Sequence, residues 1–173
     1  MGYTQHSYPV RLTPAICDEI VARAAGIEPE TKTIPNARRC LVRWLNAKNG
    51  FADLSALVME LIARANSELW GMVIDGLDRM QFTEYEPGDR YDFHQDCNWL
   101  GVQRHRKATL VVQLNAPGEF SGGGLQFRNL ASPRALDKGA GVVFPSPVEH
   151  RARPVSSGRR IVLVAWATGP NFK

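Results

Sequence analysis

From residue 72 onward, short β-prone runs alternate with glycine- and proline-containing turns, and no other feature of the chain restricts its fold as much. Gln81–Tyr85, Tyr91–His94, Ala108–Leu114, Gly124–Arg128, Gly141–Phe144 and Arg160–Trp166 are rich in β-branched and aromatic residues. Pro87-Gly88-Asp89, Ala116-Pro117-Gly118, Gly122-Gly123-Gly124 and Ser156-Ser157-Gly158 separate them. Strands this short are stable only when paired into a common sheet, so a sandwich or jelly roll is expected. The first third reads differently. Thr13 caps a helix with Pro14 at its first position, running through Ile16, Ile20 and Val21 to Gly26. Glu28–Arg39 is polar, contains two prolines and reads as a loop; Cys40–Leu45 reads as a short strand. Phe51, Leu54, Leu57, Val58, Leu61, Ile62, Ala65 and Leu69 recur three and four apart, which predicts an amphipathic helix ending near Gly71.

The fold class that follows is mainly β with N-terminal helices (α+β), in which two helices support a jelly-roll core. The chain has 173 residues, a length that suits one domain over 1–173. Residues 1–71 form its helical support region and 81–169 its core. A hydrophobic share of 44% excludes a disordered chain, and a domain of this size buries enough surface to need no staples. Cys17, Cys40 and Cys97 are odd in number and lack CxxC spacing, which argues against a disulfide framework or zinc ribbon and for a reducing compartment. Met1–Pro9 has no basic segment followed by an apolar run, and no apolar stretch approaches roughly 18 residues. The expected location is cytoplasmic, with no membrane contact. The net charge of +4 is compatible with an anionic partner without demanding one.

Chemistry concentrates at Tyr91-Asp92-Phe93-His94-Gln95-Asp96. His94 and Asp96 are two apart, so on a strand both side chains face the same way. An imidazole and a carboxylate on one face supply two legs of a facial metal site, and a distant strand must supply the third. Of the four histidines, His6 lies in the N-terminal tail and His105 in a basic turn; His150 alone is framed by strands. Two histidines and one carboxylate, with other positions open, are the ligand set of non-haem Fe(II) oxygenases. An iron site that takes a dicarboxylate cosubstrate also needs a cation across the pocket, because a guanidinium grips a carboxylate through two parallel hydrogen bonds. Arg159 and Arg160 both open the last strand. They fall on opposite faces, both apolar, so alternation alone does not choose between them.

The ordered series Tyr85-Glu-Pro-Gly88 to His94-Gln-Asp96, Leu114-Asn115, Gly122-Gly123, Phe144-Pro145, His150, Pro154-Val155, Gly158, Arg160 and Trp166 resembles the prolyl 4-hydroxylase-like branch of the Fe(II)/2-oxoglutarate-dependent dioxygenases. The resemblance spans about Gln81 to Gly169. It implies a double-stranded β-helix (jelly-roll) core with Fe(II) on His94, Asp96 and His150. It also implies that Arg160, six residues before Trp166, holds the 5-carboxylate of 2-oxoglutarate. Tyr85 matches the tyrosine lining that pocket, Tyr91 is the second tyrosine of the motif, and Gln113 lies on the strand that contacts the cosubstrate. O2 is the second cosubstrate, with ascorbate as reductant. One departure is Gly124, where the family often carries Glu after Gly-Gly.

The resemblance implies hydroxylation of a C–H bond in a prolyl or other peptide or protein side chain, with release of succinate and CO2. An oxygenase of a free amino acid, another small molecule or a nucleic acid is a second reading. A catalytically silent metal-binding jelly-roll module is a third. Substrate-side candidates are Tyr91, Trp99, Arg104 and Trp166, the last chiefly as a wall of the core. The basic segments Arg104–Lys107 and Arg151–Arg153 flank the site in sequence.

Overall fold

The computed structural model describes residues 7–97, 103–129 and 136–171. Helix α1 (Pro14–Ala24) starts as expected, with the Thr13 hydroxyl accepting from the Ile16 N–H at 3.3 Å. Helix α2 (Ala52–Leu69) buries Leu54, Val58, Ile62 and Ala65, the stripe read from the spacing. Thirteen strands are described: β1 (Tyr8–Arg11), β2 (Glu30–Ile34), β3 (Arg38–Leu45), β4 (Gly76–Leu77), β5 (Met80–Tyr85), β6 (Arg90–His94), β7 (Arg106–Gln113), β8 (Phe120–Gly122), β9 (Leu125–Phe127), β10 (Ala140–Pro145), β11 (His150–Ala152), β12 (Val155–Gly158) and β13 (Arg160–Thr168).

The N-terminal region is therefore less helical than expected. β1 precedes α1, and the segment read as a loop forms β2 and the start of β3, a hairpin in register from Glu30↔Val42 to Ile34↔Arg38. Asn36, at φ 60°, turns that hairpin. The polar run hid a strand because four of the five β2 residues are exposed, leaving no apolar alternation to read.

The main sheet runs β1-β10-β7-β13-β5-β3-β6-β11-β9, with β2 on β3, β4 on β13, and a separate β8–β12 pair. All pairings in it are antiparallel. Phe127 on β9 and Phe144 on β10 lie near opposite ends of this path, yet their ring centroids are 5.0 Å apart. The sheet is thus curled into a half-barrel whose ends meet across its concave side. On its convex side Met80, Phe82, Leu110, Val112, Leu163 and Ala165 pack against Ile20, Leu54, Val58 and Ile62 of the helices. On the concave side Val42, Tyr85, Val111, Val142, Phe144 and Val162 form a second cluster with Leu125 and Phe127. Strand alternation alone assigns these residues to their sides.

Candidate metal centre

His94 closes β6 and His150 opens β11, and the two strands pair with these residues directly opposite. Their ring centroids are 4.4 Å apart. Asp96, just beyond β6, is fixed by its own N–H donating to the Ser146 carbonyl at 3.0 Å. The Nε2 atom of His94 lies 3.4 Å from Asp96 Oδ1, and that of His150 3.5 Å from Asp96 Oδ2. One ligand atom from each of the three residues lies within 4.8 Å of the others.

The donor chemistry fits a metal. Each imidazole Nδ1 meets a backbone carbonyl, Asp92 O at 2.7 Å for His94 and Val148 O at 2.9 Å for His150. A carbonyl only accepts, so the ring proton sits on Nδ1 and the Nε2 lone pair faces the third ligand. Burial pushes the His150 pKa down, which keeps that lone pair free. Burial would raise the Asp96 carboxyl, but His150, His94 and the Trp166 indole outweigh it and hold the group below the usual carboxylate range. Asp96 is further oriented by Thr109, whose hydroxyl donates to Oδ2 at 2.9 Å and lies 3.0 Å from Ser146 Oγ. Sequence reasoning missed both hydroxyls. The one available signal was a lone threonine in the apolar run Ala108–Val112.

The triad borders a cavity of about 390 Å³ lined also by Arg38, Gln81, Tyr85, Tyr91, Arg106, Arg160 and Trp166. Arg160 is 3% exposed and faces inward, its guanidinium carbon 5.7 Å from the Tyr85 ring centroid. Arg159 turns outward, where Nη1 meets Glu84 Oε1 at 3.0 Å. Curling of the sheet makes one apolar face a pocket wall and the other the helix-backed core, a distinction that alternation left open. The Arg160 shaft passes close to Gly123 (φ 68°), where a Cβ would meet Arg160 Cδ at 2.8 Å. Burial pushes the guanidinium down to about 10, still protonated at neutral pH.

Other expected site residues fall variously. Tyr85 is buried against the pocket, and Tyr91 stacks on His94 with ring centroids 3.5 Å apart and planes 10° apart. Gln113 does not line this cavity; its Oε1 accepts from Arg160 Nε at 3.1 Å, and its Nε2 donates to Asn115 Oδ1 and Ile161 O. It steadies the arginine from behind. With Arg153 and Arg160 it borders a second hollow of about 580 Å³. Trp166 is a wall, 4% exposed, with the Arg106 guanidinium stacked 3.8 Å from its ring centroid. Arg104 is exposed in the turn before β7 and does not reach the cavity; Arg106, two residues on, does. Trp99 lies outside the described residues. Cys97 is buried, its thiol directed to the Arg104 carbonyl at 3.8 Å. Arg151 binds Gln126 Oε1 at 2.9 and 2.8 Å.

A curled antiparallel sheet carrying two histidines and a carboxylate on its concave side, with a buried arginine in the same cavity, defines the class of jelly-roll metal-dependent oxygenase folds. Residues 80–168 match the 2OG-Fe(II) oxygenase superfamily. The chain belongs to that superfamily, whose cofactor and cosubstrates are Fe(II), 2-oxoglutarate and O2. It is 34% identical over 88 residues to a PKHD-type hydroxylase of Gloeothece citriformis, a match covering 49% of this chain and 40% of that protein. The chain thus spans less than half the length of that relative. In structure it resembles the viral collagen prolyl hydroxylase of Paramecium Bursaria Chlorella virus-1, with TM-score 0.76 and 22% identity over 95% of this chain and 97% of that one. It also resembles a Trichoplax adhaerens prolyl hydroxylase in complex with a hypoxia inducible factor peptide fragment, with TM-score 0.76 and 18% identity over 95% and 84% of the two chains. Its fold is prolyl 4-hydroxylase-like. No helix among the described residues is long and apolar enough to cross a membrane.

Proposed function

We propose that this protein is an Fe(II)- and 2-oxoglutarate-dependent dioxygenase that hydroxylates a C–H bond in a prolyl or other peptide or protein side chain, with release of succinate and CO2. In this reading His94, Asp96 and His150 hold the metal, and Arg160 takes the 5-carboxylate of 2-oxoglutarate against Tyr85. When bound, Fe(II) with 2-oxoglutarate supplies the oxidising power, one atom of O2 entering succinate and the other the new hydroxyl. The chain's own part is to position and to exclude water. Gln113 holds Arg160 in place, while Val111, Val162, Val164 and Trp166 keep the cavity wall apolar. Thr109 and the two backbone carbonyls fix the ligands before any metal arrives.

The observation that carries the reading is a complete donor triad sharing one cavity with a buried arginine that no carboxylate of the described residues pairs. A purely structural metal has no use for such a cation. The peptide complex of the Trichoplax relative favours a peptide substrate, and three free buried cysteines favour a reducing compartment. The test is Fe(II)-dependent conversion of 2-oxoglutarate to succinate, with mass spectrometry for one added oxygen in peptide libraries. His94→Ala is expected to abolish turnover; retention would refute the metal assignment.

A further inference from the structure

Arg160 is occupied by the cosubstrate in the proposed reaction, but a second inward guanidinium, Arg38, is not. Arg38 sits on β3 opposite Tyr91, and its side chain folds over the concave face. Nε donates to Cys40 Sγ at 3.3 Å, Nη2 donates to Gln81 Oε1 at 3.3 Å, and the guanidinium carbon lies 4.5 Å from the Tyr91 ring centroid. Burial pushes the Cys40 thiol up, so all three partners are neutral. Its neighbours are treated otherwise: Arg39 meets Asp89, Arg43 meets Glu84, and Arg106 meets Asp78. Arg38 has no carboxylate partner among the described residues. The remaining residues contain no aspartate or glutamate that could supply one.

The charges around the cavity do not otherwise balance. Asp96 is the sole carboxylate on its described wall, facing Lys32, Arg38, Arg79, Arg106 and Arg160. Fe(II) and the 2-oxoglutarate dianion cancel, Asp96 offsets Arg160, Asp78 offsets Arg106, and Glu30 offsets Lys32. Arg38 is left over inside, and exposed Arg79, stacked on Trp44 at 3.8 Å, adds the same sign at the rim. A half-buried guanidinium without an anion is costly to keep, and a bidentate carboxylate removes that cost. The two arginines are spread along the wall: Arg160 packs on Tyr85, whereas Arg38 holds Gln81, four residues along β5.

We propose that Arg38 receives a carboxylate of the substrate, so that the oxidised carbon lies within one residue of an acidic group. The substrate is then an aspartyl or glutamyl side chain or a C-terminal residue, proline included, with a free amino acid the alternative that the test separates; a neutral internal peptidyl residue is disfavoured. The distance follows from a shared neighbour: the Arg38 guanidinium carbon lies 4.5 Å and the His94 ring 3.5 Å from the Tyr91 ring centroid, which keeps the guanidinium within about 8 Å of the metal-ligating ring. This inference rests on the oxygenase reading of the cavity.

The test uses matched probes that differ only in charge, titrated calorimetrically into protein loaded with Mn(II) and saturating 2-oxoglutarate. The pairs are acetyl-aspartate methylamide against its asparagine analogue, acetyl-glutamate methylamide against its glutamine analogue, acetyl-proline against its amide, and free proline against prolinamide. The acid of at least one pair is expected to bind about tenfold or more tightly than its amide. Which pair responds separates a side-chain carboxylate from a terminal or free one. Arg38→Gln should bring that ratio close to one, and Arg38→Lys should keep most of it. Equal binding of acids and amides, no binding of any acid, acids that merely displace 2-oxoglutarate, or a ratio preserved in Arg38→Gln would each overturn the inference. The wild-type comparison decides even if the variants fail to fold. Mn(II)-dependent binding of 2-oxoglutarate tests the parent reading separately: its absence sinks that reading, whereas 2-oxoglutarate binding without any charge preference among the probes sinks the inference alone.

Discussion

Strands β5, β7 and β13 build two faces from alternate residues of the same segments, and the faces meet opposite demands. Toward the helices, Phe82, Leu110, Val112, Leu163 and Ala165 interlock with α1 and α2 in a closed hydrocarbon core. On the concave side, Gln81, Tyr85, Thr109, Gln113, Arg160 and Trp166 are as deeply buried, yet they carry hydrogen-bonding and charged groups. The first face is complete without a ligand. The second holds a cation and borders the metal-ligating groups carried on and just beyond β6 and on β11, whose burial is costly until something binds. Stability should therefore reside on one side of a strand and affinity on the other.

The largest effect should come from Leu163→Ala, which empties a fully buried site on the helix side. A loss of about 2–5 kcal/mol in urea unfolding is expected, with 2-oxoglutarate affinity of the surviving fold unchanged. A cost below about 1 kcal/mol would mean that this face is loosely packed. Arg160→Ala, three residues away and facing inward, should invert the pattern. 2-Oxoglutarate affinity of the Mn(II)-loaded protein should fall by about 1.5–3 kcal/mol, while unfolding shows no loss or a gain because an unpaired buried cation is gone. Destabilisation equal to that of Leu163→Ala would erase the contrast between the faces.

Thr109→Val keeps the shape and removes the hydroxyl that holds Asp96. Metal affinity, followed by Mn(II) paramagnetic resonance, should drop about tenfold. No drop would mean that the Ser146 contacts suffice to hold the carboxylate. The smallest effect concerns pH. Arg160 is protonated below about 10, lower than an ordinary guanidinium, so its charge gives no pH dependence to 2-oxoglutarate binding between neutrality and pH 9. Binding should weaken only as pH rises through about 10. Over the same window the unfolded chain binds the extra proton, so the Arg160 contribution makes the apo fold more stable with rising pH. A binding midpoint near neutrality would point to another group.

Legibility in the sequence followed locality. The Thr13 cap, the α2 stripe, most core strands and the shared direction of His94 and Asp96 depend on residues a few positions apart, and each appears in the structure. β1, β2 and the short β8, β11 and β12 escaped because exposed or three- to four-residue strands leave no readable period. In the site, Gln113 is expected from the sequence as a polar contact on the cosubstrate strand; the structure sets it against Arg160 and not on the wall of the metal cavity. Arg104 is the basic substrate-side candidate in the sequence, yet the turn before β7 leaves it exposed and brings in Arg106. Arg38 was hidden in a segment read as loop.

The mainly β class with two helices, the residue types of the triad and, through an ordered series of motifs, the family are legible in the residues alone. Those are properties of chain geometry over two to four residues, or of residue identity in order. It took the fold in three dimensions to set His150 opposite His94, to turn Arg160 to the cavity while Arg159 meets Glu84, and to bring Arg38 to the metal side with no carboxylate partner among the described residues. Each depends on strand register and on the curl of the sheet. Those are settled by pairing between segments tens of residues apart, which no local pattern encodes.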